Sequence, residues 1–146
     1  MDDETLGAWR ALLNAHAAVT AHVERELAAA GLPPLGWYDV LWPLRRAPGR
    51  RLRMNALAAG VTISRTGLVR LVDRLEREGL CRREPAPEDR RGAYVVLTPA
   101  GAAALRRMWP VYRRALERRF APAVGDAPRL RRALERVATL GSDAPG

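Results

Sequence analysis

The residues best suited to chemistry are arginines placed at helical spacing between positions 64 and 78. Apolar residues recur every three or four positions through this segment, which predicts a helix with one buried stripe. The stripe consists of Leu68, Leu71, Val72 and Leu75. The opposite face carries Arg65, Thr66, Val69, Arg70, Asp73, Arg74 and Arg77. A guanidinium group can fork onto a guanine edge or a phosphate, so this face has the chemistry of a nucleic-acid contact.

A short helix precedes the arginine-bearing helix, and together they predict a helix-turn-helix. Asn55 is a good cap for a helix over residues 56–59, which Gly60 ends. After a turn of about four residues, Ser64 can cap the second helix, which Gly79 ends. An ordinary solvated helix would show the same charged face, but the preceding helix and turn favour a DNA-reading unit.

The second helix of such a unit lies in the major groove of DNA, with its N-terminal residues against base edges. Arg65 and Arg70 are expected to fork onto guanine. Thr66 and Val69 are expected to meet a thymine methyl group or a phosphate. Arg74, further along, is better placed for the DNA backbone. The expected major-groove contacts are Ser64, Arg65, Thr66, Val69, Arg70 and Arg74.

A charged stretch, residues 85–92 with the sequence PAPEDRRG, separates two runs that predict β-strands. The predicted strands cover residues 80–84 and 93–97. The stretch between them then forms the long tip of a hairpin. At that tip, beside Asp89, the guanidinium groups of Arg90 and Arg91 suit the negative potential of a narrow minor groove. Glu88 beside them is interpreted as a solvated turn residue.

Composition indicates an ordered domain with a polyanionic partner. The 146 residues include 25 basic and 16 acidic side chains, a net charge of +9, and every basic side chain is arginine. The absence of lysine, together with much Ala, Gly and Pro, is typical of GC-rich coding, but the excess of cations remains. Hydrophobic residues make up 48% of the chain, which argues against general disorder.

Nothing in the sequence indicates a secreted or membrane protein. No apolar run reaches the roughly 20 residues that span a bilayer. The acidic start MDDET lacks the basic region of a signal peptide. The single cysteine, Cys81, excludes an intrachain disulfide. We therefore expect a cytoplasmic protein without a membrane partner.

Four further helices must position the helix-turn-helix and the hairpin. They are predicted over residues 6–27, 35–46, 99–120 and 128–140. Pro43 is expected to kink or stop the second of these helices, and Pro110 to interrupt the third. The order of elements predicts a mainly α fold with a small β-hairpin wing.

The segment LRMNALAAGVTISRTGLVRLVDRLEREGLCRREPAPEDRRGAYVVLTPAGAAAL resembles the winged helix-turn-helix core of the MarR family of bacterial transcriptional regulators. The matching features are Leu57-Ala58, Ser64-Arg65, the run from Arg70 to Glu76, Gly79-Leu80, Asp89-Arg90-Arg91, Val96-Leu97-Thr98 and Gly101. The likeness is strong over about residues 35–105 and extends to the flanking helices by pattern only.

The resemblance implies a winged helix-turn-helix core flanked by N- and C-terminal dimerisation helices. The corresponding regions are 1–31 and 99–146 for dimerisation and 32–98 for DNA binding. It implies a homodimer on double-stranded DNA, with half-sites about 10 bp apart. It also implies a wing in which Arg91 enters the minor groove while Asp89 steadies it. Arg90 in that role, or on a phosphate, stays open.

Catalysis and metal binding have little support in the sequence. His16 and His22 stand six positions apart on one helix and point in different directions. No zinc-ligand spacing and no phosphate-cradling loop occurs, so no catalytic residue, metal or cofactor is expected. Cys81 has arginines nearby that could stabilise a thiolate. The resemblance places the family's peroxide-sensing cysteine in the first helix, where this chain has none, so a packed cysteine is favoured.

Several aromatic residues stand on the helices around the helix-turn-helix. They are Trp9, His16, Trp37, Tyr38, Trp42 and Trp109. Packing in the core or at an interface would explain them. The resemblance implies instead a pocket for an aromatic or phenolic effector, between the dimer helices and the DNA-binding lobe. Both interpretations stay open at this point.

These features predict a homodimeric, sequence-specific transcriptional repressor that a small aromatic effector releases from a pseudo-palindromic operator. The alternative is a non-specific or architectural nucleic-acid-binding protein, or a winged helix used for protein contacts.

Overall fold

The computed structural model describes residues 1–140, apart from the side chains of residues 89–91. Within this range, six α-helices surround a three-stranded antiparallel sheet with the order β1-β3-β2. The elements are α1 (Asp3–Ala29), α2 (Leu35–Arg46), β1 (Arg51–Arg53), α3 (Met54–Ala59), α4 (Arg65–Arg77), β2 (Cys81–Ala86), β3 (Asp89–Leu97), α5 (Pro99–Arg119) and α6 (Ala127–Thr139). The predicted mainly α fold with a hairpin wing is confirmed.

The hydrophobic core lies where α2, α4 and α5 meet the sheet. Three of the four residues of the predicted apolar stripe, Leu68, Val72 and Leu75, are fully inaccessible to solvent, and Leu71 is half-buried. Burial of one such side chain stabilises the fold by about 1.5–3 kcal/mol. This packing fixes the rotation of α4 about its axis, so the arginine-bearing face of the helix points outward.

Side-chain caps define where α4 and α5 begin. The hydroxyl of Ser64 accepts a hydrogen bond from the Gly67 amide at 3.0 Å, as its predicted cap role requires. The hydroxyl of Thr98 accepts one from the Gly101 amide at 3.1 Å and donates to the Gly79 carbonyl at 2.6 Å. Thr98 therefore joins the end of α4 to the beginning of α5.

Two prolines expected to disturb helices do not end them. The second helix continues past Pro43 to Arg46, and α5 runs through Pro110 to Arg119. Proline removes one backbone donor, but buried side chains on both sides can hold the helix in place. In α5 these are Met108 and Ala115, both inaccessible to solvent.

The start of the helix-turn-helix also differs from the prediction. The third helix begins at Met54, with Arg53 in the cap position and no side-chain cap bond, so the prediction of Asn55 as its cap was wrong. Strand β1 was not predicted, because its three residues are too few to show alternation. It pairs with β3 in the register Arg51↔Val96 and Arg53↔Tyr94.

The wing hairpin is longer than predicted and its tip is shorter. Both strands extend further towards the tip than predicted, β2 to Ala86 and β3 from Asp89. Only residues 87–88 remain as a turn. The predicted tip residues Asp89, Arg90 and Arg91 instead begin β3. The ladder pairs Pro85 with Ala93 and Ala86 with Asp89, so residues 90–92 stand between two successive pairs as a bulge.

Large apolar side chains are exposed on the N-terminal half of α1 and along α6. On α1, Trp9 is 52% exposed and Leu13 is 48% exposed. On α6, Val137 is 60% exposed, and no residue of this helix is buried. Both faces are therefore partly open to solvent in the described part of the protomer. Separately, no helix among residues 1–140 is both long enough and apolar enough to cross a membrane.

Candidate nucleic-acid interface

The outer face of α4 is open to solvent along its first two turns. Arg65, Thr66 and Arg70 are exposed, and Val69 is 37% exposed. Within the part of the chain that the structure describes, Arg70 forms no hydrogen bond or ion pair. Its guanidinium is therefore available to a ligand, and a base-edge contact would not require it to leave a protein partner.

Arg65 is held by a residue of the preceding helix. One guanidinium nitrogen of Arg65 donates a hydrogen bond to the side-chain oxygen of Asn55. Asn55 was predicted as a helix cap, and the structure gives it this contact between α3 and α4 instead. The bond limits the rotamers of Arg65, which reduces the entropy lost when a guanidinium fixes onto an acceptor.

Arg74 is less available than the residues before it. Its Nε lies 3.4 Å from an Oε1 oxygen of Glu78, and its guanidinium carbon lies 5.8 Å from the centre of the Trp37 ring. Both contacts are weak ones at the surface. They place Trp37 beside α4, so the structure separates this tryptophan from the other candidate effector residues.

An ion-pair network that was not predicted joins α4 to the wing. The Arg83 side chain in β2 lies 2.6 Å from Asp73 and 3.1 Å from Glu76, both on α4. The Arg83 amide also donates to Glu76 at 2.6 Å. Two carboxylates of the predicted DNA-facing helix thereby share one guanidinium of the wing strand, which offsets part of their negative charge. Spacing alone could not reveal this, because the partners come together only when the hairpin folds back.

The wing residues predicted for the minor groove are only partly described. Asp89, Arg90 and Arg91 belong to β3 directly after the two-residue turn, and their side chains lie outside the described residues. Their backbone lies at the far end of the hairpin, where residues 90–92 form the bulge.

Cys81 is a packed residue of β2. It is 2% exposed, and its Sγ lies 3.9 Å from the Val72 carbonyl oxygen. Burial, with a smaller effect of the Glu76 carboxylate, raises the pKa of the thiol to about 11. The nearby guanidinium of Arg83 lowers the pKa of the thiol, but by less than burial raises it. The structure therefore favours the packed cysteine over a reactive thiolate.

We expect Cys81 to react slowly with iodoacetamide in the native protein at pH 8. With a pKa of about 11, roughly one thiol in a thousand is ionised at that pH, and the sulfur is also inaccessible. Mass spectrometry should show labelling slowed by about a hundredfold or more relative to protein unfolded in guanidinium. Equal labelling rates in the two states would contradict the packed assignment.

A cavity of about 800 Å³ lies between α1, α2, α5 and the turn of the helix-turn-helix. Its lining consists of His16, Tyr38, Asp39, Trp42, Pro43, Arg45, Gly60, Val61, Thr62, Leu105, Arg106, Trp109 and Tyr112. The structure thus brings together four of the six candidate residues, namely His16, Tyr38, Trp42 and Trp109. Trp9 is exposed on α1 and does not line the cavity, and Trp37 lies against α4.

The cavity walls are aromatic, with charged groups between them. The rings of Tyr38 and Trp42 stack with centres 5.8 Å apart, and Tyr38 meets Tyr112 edge-on at 5.2 Å. Burial raises the pKa of Asp39, and the charge of Glu24 adds to the effect. The sequence did not single out Arg45, although its spacing from Tyr38 and Trp42 follows the same helical face.

Among the described residues, no cluster of His, Cys, Asp or Glu has the arrangement of a metal site.

A helix-turn-helix with an outward arginine face, followed by a hairpin wing, defines the class of winged helix-turn-helix regulators. The family model for the MarR family matches residues 30–92. AbsC, a MarR family transcriptional regulator from Streptomyces coelicolor, is 30% identical, with a TM-score of 0.86 over 99% of this chain and 98% of that chain. The chain therefore belongs to the MarR family of transcriptional regulators.

Two other relatives agree with this assignment. Sco3205, a MarR family transcriptional regulator from Streptomyces coelicolor solved in complex with DNA, is 30% identical, with a TM-score of 0.82 over 100% of this chain and 92% of that chain. A protein of Thauera aromatica, named for transcriptional regulation of the hcr operon, is 34% identical over 99 residues. That match covers 68% of this chain and 57% of the relative. Membership confirms that the chain is a regulator and not an enzyme.

Proposed function

We propose that this chain is a homodimeric, sequence-specific repressor that binds a pseudo-palindromic operator in the bacterial cytoplasm. The observation that carries the proposal is the outer face of α4, where exposed arginines stand on a helix whose rotation the core fixes. Two such helices would enter successive major grooves, with half-sites about 10 bp apart. The wings, through Asp89, Arg90 and Arg91, would reach the flanking minor grooves.

The exposed apolar faces of α1 and α6 support the homodimer. An isolated helix of 13 residues is marginal in water, yet α6 buries nothing within the described protomer. A second copy that covers Trp9, Leu13, Leu134 and Val137 would remove this exposed area. We therefore assign residues 1–31 and 99–146 to dimerisation and residues 32–98 to DNA binding.

The cavity supports release by a small aromatic or phenolic effector. Its stacked rings suit a planar ligand, while Arg45 and Arg106 suit an acidic or phenolic oxygen. The turn residues Gly60, Val61 and Thr62 form part of the same wall. A ligand there would favour a conformation in which the two recognition helices no longer match one helical turn of DNA.

Competition binding tests the proposed specificity. The dimer should prefer the DNA upstream of its own gene over random duplex of equal length by about a thousandfold or more at physiological salt. The second candidate, non-specific binding, draws on the net charge of +9 and predicts equal affinity for both duplexes. Equal affinity would therefore exclude the specific repressor.

Replacing Arg70 with alanine is expected to cost about 1–3 kcal/mol of binding free energy at one operator position. The loss should disappear when the base pair that Arg70 contacts is already changed. Isothermal titration or fluorescence anisotropy with a set of single-base operator variants measures this. Arg114→Ala, which removes the same charge from the exposed side of α5, is the matched control. An identical loss on all operator variants would contradict base reading by Arg70.

A further inference from the structure

Glu88 lies in the two-residue turn at the tip of the wing, and its carboxylate is bonded on two sides. Its Oε1 atom accepts a hydrogen bond from the Tyr94 hydroxyl at 2.6 Å. The same oxygen lies 2.6 Å from an Nη2 nitrogen of Arg53 in β1. Glu88 is an exposed turn residue, as expected, but solvent is not its only contact. Its carboxylate attaches the tip of the wing to β1 and β3.

Tyr94 is itself fixed at the centre of the sheet. It pairs with Arg53 of β1 on one side and with Glu84 of β2 on the other. The guanidinium carbon of Arg51 lies 4.2 Å from the centre of the Tyr94 ring, and Arg51 also approaches Glu84 at 3.8 Å. Because the ring is held by backbone pairing and by a cation–π contact, its hydroxyl offers Glu88 a fixed anchor.

Among the side chains that the structure describes, apolar packing at this end of the hairpin is sparse. Ala86 is buried, but Pro87 and Glu88 beyond it are exposed, so the turn has no apolar packing of its own. The bulge at residues 90–92 interrupts the ladder next to the turn. Among the described side chains, the hydrogen bonds and the ion pair of Glu88 are contacts that join the tip to the rest of the sheet.

We propose that Glu88 is a positioning residue of the wing, which sets the approach of residues 89–91 to the minor groove by joining the tip to Arg53 and Tyr94. This inference rests on the proposed function of the wing in DNA binding. It does not require Glu88 to touch DNA. A carboxylate near phosphates repels them, so a Glu88 without a positioning role would only weaken DNA binding.

The charge state of Glu88 is suitable for this role at any physiological pH. The Tyr94 hydroxyl, a backbone hydrogen bond and the Arg53 guanidinium lower the pKa of the carboxyl to about 2. Since the folded-state pKa lies below the unfolded value, these contacts stabilise the tip above the unfolded pKa and are lost as the pH falls through about 2. The attachment of the tip is therefore complete between pH 5 and pH 8.

The test compares operators whose flanks, at the expected wing contacts, are A·T-rich or G·C-rich. The contribution of the wing is measured as the ratio of the affinities for the two operators. The double variant Arg90→Ala/Arg91→Ala gives the value of this ratio when the wing has no cations. In Glu88→Ala we expect this ratio to fall at least threefold towards that value. Glu88→Gln, which keeps an acceptor for Tyr94, should give an intermediate ratio, and Tyr94→Phe a reduced one.

The two explanations of Glu88 predict opposite results. Loss of one repelling charge alone would raise the affinity for both operators equally and leave their ratio unchanged, which would overturn the proposal. Glu117→Gln, an exposed carboxylate on α5, controls for net charge and should leave the ratio unchanged. Circular dichroism should show that Glu88→Ala is folded under the conditions of the binding assay. If Arg90→Ala/Arg91→Ala also leaves the ratio unchanged, the proposed wing function fails, and the inference about Glu88 fails with it.

Discussion

Gly101→Ala is expected to destabilise the protein by about 3 kcal/mol or more. A Cβ atom at this position would lie 2.1 Å from the Leu80 carbonyl oxygen and 2.6 Å from Cδ1 of Leu97. The Leu97 methyl group can move, but the Leu80 carbonyl is backbone and already accepts a hydrogen bond from the Thr98 amide at 3.2 Å. Alanine therefore forces α5 away from the segment that joins α4 to the wing.

Thermal unfolding followed by circular dichroism measures this effect. A loss of that size should lower the melting temperature by about 10 °C, and a larger loss should appear as insoluble protein. Gly36→Ala is the matched control, because it also lies in the first turn of a helix but has no atom within 4 Å of the added Cβ. That variant should be slightly more stable than the wild type. A Gly101→Ala protein as stable as wild type would contradict the close approach.

The double substitution Leu134→Glu/Val137→Glu is expected to lower operator affinity by about a hundredfold or more. Both residues lie on the exposed apolar face of α6, 37% and 60% accessible in the protomer. On the proposed function, charged groups there would prevent a second copy from covering the face. A monomer would then bind one half-site only and lose the advantage of two linked contacts, about 10²–10⁴ in affinity.

Light scattering coupled to gel filtration should show a monomer for this variant and a dimer for the wild type. Because α6 buries no residue in the described protomer, the fold of the DNA-binding region should persist, as circular dichroism can verify. Arg132→Glu on the polar face of α6 is the control and should remain dimeric. A dimeric double variant with wild-type operator affinity would contradict the assignment of α6 to dimerisation.

Local patterns were sufficient to predict most of the fold. Features that depend on neighbours within one or two helical turns were predicted correctly. They are the apolar stripe of α4, the caps Ser64 and Thr98, and Gly79, which has a φ of +74°. The effects of Pro43 and Pro110 could not be predicted in the same way. A proline inside a helix costs free energy, and the helix persists only where buried side chains offset that cost. This burial arises when the core assembles, so a short stretch of sequence does not reveal it.

The candidate site shows the same division. The exposed residues of α4 followed from helical periodicity, because one buried face determines the opposite one. The partners that hold these residues did not follow, since Asn55 meets Arg65 across a turn and Arg83 meets Asp73 across the hairpin. Such contacts join positions 10 residues apart or more, where the order of residues gives no periodic signal.

The wall shared by the cavity and the helix-turn-helix turn has a thermodynamic consequence. Gly60, Val61 and Thr62 line the cavity, and Ser64, two residues later, caps the helix that is proposed to read DNA. If an effector binds in the cavity as proposed, its binding and the binding of DNA would be linked, and such linkage is reciprocal. The factor by which the effector weakens operator binding must equal the factor by which operator DNA weakens effector binding. A measurement of effector binding would then show whether the operator is bound, and a measurement of operator binding would show whether the effector is bound.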